Sequence, residues 1–251
     1  MKKVILLFAS LLFVFISYAQ VSYLQYRHVP NDKEQEFVEK ETKYWSKVAK
    51  AAIDKGLMTG WALWRKVSVT NPDAPNYVFV NSFASIDKID QAAIWTDENI
   101  SKMGVSPDMV ETNSFTTVPF DCWVQLEDFV QGDYKFAVVN YAKPESLSGF
   151  IEENKTLWKP FHESNITAKN MGMTSWGLMS VIFPKGNQAK FSCFTWDGFN
   201  TMADVMKFMS YSSPTDTASP WTDILSKSKM GEIMPNGFEY SLVYELVMSI
   251  D

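Results

Sequence analysis

The chain has 251 residues, 46% of them hydrophobic and 15% aromatic, enough for one large or two small domains with full cores. Its net charge is −6 and no basic run follows the first residues, which excludes an electrostatic nucleic-acid surface. Two cysteines, Cys122 and Cys193, are too few for a disulfide framework.

The chain opens with Lys2 and Lys3, runs through an almost wholly apolar stretch from Val4 to Ile16, and reaches the small residues Ser17 and Ala19 just before Gln20. This order of charge, apolar run and small residues predicts a cleaved signal peptide over residues 1–19 and a secreted or periplasmic protein. The apolar run is shorter than the ~20 residues that span a bilayer, and no later stretch replaces it. No cysteine lies near the cut, so lipid attachment is not expected.

The mature chain resembles itself. FVEKETKYW from Phe37 returns as FIEENKTLW from Phe150, a displacement of 113 (150 − 37). MTGWAL from Met58 returns as MTSWGL from Met173, VFVNSF ending at Phe83 as FSCFTW ending at Trp196, and CWVQLE from Cys122 as LVYELV from Leu242. A period above one hundred residues means duplicated domains rather than a solenoid. The expected boundaries are 20–131 and 132–251. Each half reads as strand, helix, two strands, a helical region and a closing strand. In the first half these are Val21 to Val29, about 33–55, Met58 to Val69, Tyr77 to Ala84, about 86–103, and Phe115 to Glu127. In the second they begin at Tyr134, Leu147, Met173, Lys190, Thr201 and Phe238.

That order is the ferredoxin-like βαββαβ unit. Such a sheet carries helices on one face only, so the two open faces are expected to cover each other. The expected fold class is α+β, two tandem ferredoxin-like repeats forming an intramolecular pseudo-dimeric α/β barrel. The leading strand ending near a proline, the acidic-aromatic helix start and the Gly-Trp strand resemble the dimeric α/β-barrel superfamily, including antibiotic-biosynthesis-monooxygenase-like and NIPSNAP-like domains. The resemblance covers residues 21–251. It implies a fold and leaves the activity open, because the superfamily spans oxygenases, haem enzymes, isomerases and proteins without known chemistry.

Strand alternation assigns faces. Small residues at Gly60 and Ala62 suggest packing against helices, which turns Trp61, Leu63 and Arg65 inward, with Trp176 as the counterpart of Trp61. On the same reasoning Asn81, Gln125 and Glu245 point to the interior. The candidate ligand cavity is therefore Arg65, Asn81, Trp61, Trp176 and Glu245. Arg65 and Asn81 are polar where the second copy is not equivalently polar. In the arrangement that the resemblance implies, the closing strand of one half adjoins the Gly-Trp strand of the other, so Arg65 either forms an ion pair with Glu245 or, unpaired, anchors a carboxylate or enolate ligand.

His28 and His162 match no metal-site pattern, and the acidic cluster Glu34, Glu36, Glu39 and Glu41 reads as a solvated helix start. No nucleophile elbow, phosphate loop, dinucleotide fingerprint or zinc motif occurs, so no cofactor or metal is expected and no catalytic residue is assigned. Three functions remain. The first is a non-catalytic binding or accessory protein of the cell envelope, taking a small apolar or anionic molecule, as a monomer or weak homodimer. The second is a cofactor-independent oxygenase- or isomerase-like enzyme acting on a small apolar or aromatic substrate in the barrel interior. The third is an interaction module using aromatics near residues 211–221.

Overall fold

Aromatic and β-branched residues dominate the extended segments, and turn formers separate them, as strand formation requires. The computed structural model describes residues 20–68, 71–210 and 221–251. The expected signal peptide at 1–19 and most of the aromatic stretch at 211–221 lie outside the described residues. Among those described, the first four strands are Val21–His28 (β1), Gly60–Lys66 (β2), Tyr77–Phe83 (β3) and Thr117–Val130 (β4). They are followed by Phe136–Ala142 (β5), Met173–Phe183 (β6), Cys193–Phe199 (β7) and Tyr240–Ile250 (β8). A continuous helix over 34–54 (α1) follows β1, and one over 147–168 (α2) follows β5. Each carries one π turn, at Glu41–Trp45 and Asn154–Trp158.

The strands close one antiparallel barrel in the order β1-β3-β2-β8-β5-β7-β6-β4. The two joins that complete it are β2 with β8 and β4 with β6, the pairings that the family resemblance implies. No helix among the described residues is long and apolar enough to cross a membrane.

The face assignment from the sequence is reversed by the structure. Trp61, Leu63, Tyr77, Phe79 and Phe83 face outward and pack on Phe37, Val48, Ala49 and Ala52 of α1. Trp176, Leu178, Cys193 and Phe199 do the same beneath α2. The barrel interior is instead built from Leu24, Tyr26, Val78, Cys122, Val124, Tyr141, Val181, Phe194 and Tyr244. The small residues serve the interior. A Cβ on Gly177 would sit 1.9 Å from Cη2 of Trp196, so that indole lies flat across the glycine. A lumen closed by only eight strands holds large rings only where their neighbours are small.

The β7 register differs as well. Repeat matching placed Asn81 opposite Phe194, but Trp61 pairs with Asn81 while Trp176 pairs with Asp197. Both outward positions are polar and buried. The polar asymmetry inferred at Asn81 is therefore absent at that site. Cys122 and Cys193 are free, on β4 and β7 with β6 between them, one facing the lumen and the other the helices.

Candidate functional site

The outward face of the first sheet and α1 enclose a cavity of ≈ 440 Å³. Trp61 and Phe79 come from β2 and β3, and Gln25 and Arg27 from β1. Glu41 and Trp45 come from the π turn of α1, and Thr112 from the loop before β4. Thr112 Oγ1 donates to Glu41 Oε1 at 2.9 Å and accepts from Arg27 Nη1 at 3.0 Å. Arg27 Nε donates to Gln25 Oε1 at 2.7 Å, its Nη1 lies 3.9 Å from Glu41 Oε1, and its guanidinium covers the Phe79 ring at 5.0 Å. Asn81 lines the same space, and its buried Oδ1 has no hydrogen-bond partner.

Burial pushes the Glu41 carboxyl up to about 7, against the opposing pull of Arg27 and Thr112. Burial also lowers the Arg27 pKa, with Glu41 acting in the other direction. A buried carboxyl poised near neutrality in an aromatic cavity is the kind of group that moves protons. The helix pattern held the signal for it. Phe37, Glu41, Tyr44 and Val48 recur at helical spacing on one stripe, so Glu41 belongs to the buried face rather than the solvated helix start.

The five candidates from the sequence do not form one site. Trp61 and Asn81 meet in this cavity. Trp176 lies in the helix layer of the other sheet, stacked on His162 at 5.5 Å and 17°. His162 is correspondingly buried, and desolvation lowers its pKa to about 3. Arg65 and Glu245 are outside the barrel, joined Nη2 to Oε2 at 2.6 Å across the β2–β8 join, and both line a surface groove. Their side chains are 49% and 37% exposed, and exposed ion pairs contribute little. Arg65→Met should therefore lower unfolding free energy by less than about 1 kcal/mol in urea titration. A loss of several kcal/mol would show that this pair holds the join together.

The lumen holds a separate cavity of ≈ 420 Å³, lined by rings that include Trp64, Tyr134, Phe194 and Trp196. A chain of phenols, Tyr26 to Tyr141 at 3.1 Å and Tyr141 to Tyr244 at 3.0 Å, lines both this cavity and a second one of ≈ 880 Å³. The three rings thus partition the barrel. Burial raises the pKa of all three, that of Tyr244 to about 12, so they are neutral hydrogen-bonding groups near pH 7. Among the described residues no group of three or more His, Cys, Asp or Glu is placed to hold a metal.

This architecture is the dimeric α/β-barrel fold, closed within a single chain. The structure is similar to that of an anthrone oxidase-like protein, at 12% identity over 93% of each chain with a TM-score of 0.52. It is also similar to a candidate monooxygenase from Lactobacillus acidophilus, at 8% identity over 92% of this chain and 95% of that one, with a TM-score of 0.54. No protein-family model matches the chain, and no curated protein sequence matches it.

Proposed function

We infer that the cavity under α1 is an acid–base site for a small, neutral, aromatic carbonyl compound. The observation that carries this reading is the Arg27–Thr112–Glu41 chain in the wall of an aromatic, polar-lined cavity. Glu41 is the proton acceptor, and Arg27 offers positive charge to an oxyanion developing on the substrate. Trp61 and Phe79 supply ring surface, and Asn81 shares the lining. Asp97, Asp108 and Glu111 share the lining and disfavour an anionic ligand. Proton abstraction beside a carbonyl is the first step of an isomerisation, and equally of an oxygenation in which the substrate carbanion reacts with O₂. The monooxygenase and oxidase names belong to the structural neighbours and set the class of chemistry to be tried first.

The non-catalytic reading has its own observation: Gln25 and Thr112 already occupy Nε and Nη1 of Arg27. One experiment separates the two. With 2-tetralone in D₂O, NMR reads deuterium exchange at the acidic C–H positions. The enzyme reading expects acceleration over buffer, rising as pH passes about 7, and a loss of roughly 100-fold or more in Glu41→Gln with binding retained. Exchange no faster than buffer, or untouched by the substitution, overturns it. Binding without exchange leaves the accessory-protein reading in its place.

The same proposal includes export after cleavage near Gln20 and two duplicated units, 20–131 and 132–251. The matched order of elements and the two π turns, at Glu41–Trp45 and Asn154–Trp158, support the duplication. Tyr26 pairs with Val78, and Tyr141 with Phe194. That strand register sets Arg27 against Ala142, and the π turns set Glu41 against Asn154, so the acid–base pair belongs to the first unit alone. A site retained in one copy is what specialisation after duplication leaves.

A further inference from the structure

We propose that the barrel lumen is a second ligand site, which takes an organic cation: an apolar or aromatic body lies among the lumen rings, and an ammonium head stays at the mouth beside Asp133 and Asp251. This site is separate from the one at Glu41 and does not depend on it.

The lumen cavity of ≈ 420 Å³ is within the range of small-molecule pockets and is too large to be a packing defect. Its wall is mostly ring and aliphatic surface, and no lysine, arginine or histidine among the described residues lines it. Trp64 and Tyr134 line it as a stacked pair, with ring centroids 5.5 Å apart and planes 20° from parallel. Two carboxylates share that end. Asp133 directly precedes Tyr134 in the chain and lines the cavity. Asp251 lies over β2: a Cβ on Gly60 would be 3.5 Å from its Oδ1, and Gly60 shares a strand face with Ala62 and Trp64, which line the lumen. Burial and then the Asp251 charge push the Tyr134 hydroxyl up to about 12, in keeping with a carboxylate near the stack. Neither carboxylate is ion-paired with a described residue. The faces of indole and phenol rings carry partial negative charge, so they attract a cation where they would not hold an anion. An ammonium group carried deeper would lose its hydration without gaining a carboxylate, which keeps the head at the mouth and leaves the lumen to the apolar body. Two exposed acids alone would attract only ordinary counter-ions. The ring-lined space behind them is what selects a cation with an apolar body.

The test is a matched pair of probes, phenyltrimethylammonium and tert-butylbenzene, titrated by calorimetry at low ionic strength. They share a shape and differ in charge. The cation should bind at least as tightly as the hydrocarbon, although the hydrocarbon gains more from leaving water. Replacing both acids at the mouth, Asp133→Asn with Asp251→Asn, should weaken the cation at least fivefold and leave the hydrocarbon within twofold. Ala137→Phe narrows the lumen and should weaken both probes at least tenfold. Asp108→Asn, in the lining of the cavity under α1, should change neither, which separates the two sites. A cation that binds more weakly than the hydrocarbon, a cation affinity untouched by the paired substitution, unchanged binding in a folded Ala137→Phe, a loss on Asp108→Asn, or binding of neither probe would each overturn the proposal. If Ala137→Phe does not fold, as judged by its melting transition, the paired Asp133→Asn and Asp251→Asn substitution still decides, because both acids are exposed.

Discussion

Residues 20–131 expressed without the rest of the chain should fail to give a stable monomer. In the intact barrel, Leu24, Tyr26, Val78, Cys122 and Val124 are packed in one interior cluster with Tyr141, Val181, Phe194 and Tyr244 from the other sheet. Exposing five such side chains at about 2 kcal/mol each comes to roughly 10 kcal/mol, comparable with the whole stability of a typical domain. The truncation also strips β8 from β2 and β6 from β4, leaving two open sheet edges that invite pairing with other chains. Size-exclusion chromatography with light scattering should therefore find aggregate, or a dimer in which two copies rebuild a barrel. A soluble monomer with a cooperative unfolding transition would refute the claim that the open faces need each other.

Stability should fall as pH rises from about 4.5 to about 7, and two buried carboxyls should account for it. Burial raises Glu41 and Asp197 to about 7 in the folded protein, from ordinary values of 4.5 and 3.8. Asp197 accepts from Asn140 Nδ2 at 2.8 Å, a bond that opposes the shift without cancelling it. Between the two pKa values the folded state holds protons that the unfolded state has released, so each unit of pH costs folding free energy. The upper limit is about 3–4 kcal/mol per group. His162 works in the opposite direction. Its pKa falls to about 3, so its contribution is lost as pH drops below 6.5, and it offsets part of one carboxyl's slope. Urea midpoints at pH 5 and pH 8 should therefore show Glu41→Gln and Asp197→Asn each losing less stability with rising pH than the unaltered chain. Parallel pH curves for all three proteins would mean that these carboxyls are ionised in the folded state.

Element order was legible in the chain because it rests on local periodicity. β1, α1, β2 and β3 fall within a few residues of where turn formers and apolar spacing place them. The segment over 86–103 was read as helical, yet it forms 3-10 turns at Ile86–Lys88 and Gln91–Ala93 and a short helix at Asp97–Ser101. Its apolar residues anchor a loop to the helix layer rather than a continuous stripe, since Ile94 and Ile100 are fully buried there. The strand faces were misread because alternation separates two faces without saying which is which. Gly60 and Ala62 looked like helix-packing positions. The structure uses small residues to admit rings into a narrow lumen, as at Gly177 beneath Trp196.

By itself the sequence determined the strand and helix order, while the pairing of the closing strands with the Gly-Trp strands followed from the family resemblance, and the structure chose the Arg65–Glu245 ion pair over a ligand anchor. Element order follows from patterns carried along a single element or repeated between segments. Only the tertiary structure decided which face is lumen, where Asn81 and Trp61 lie, and that Arg27 meets Glu41 through Thr112. Such meetings join β1, a π turn and the loop before β4, elements far apart in the chain. What brings them together is the closing of the helix layer over the sheet, which no local period records.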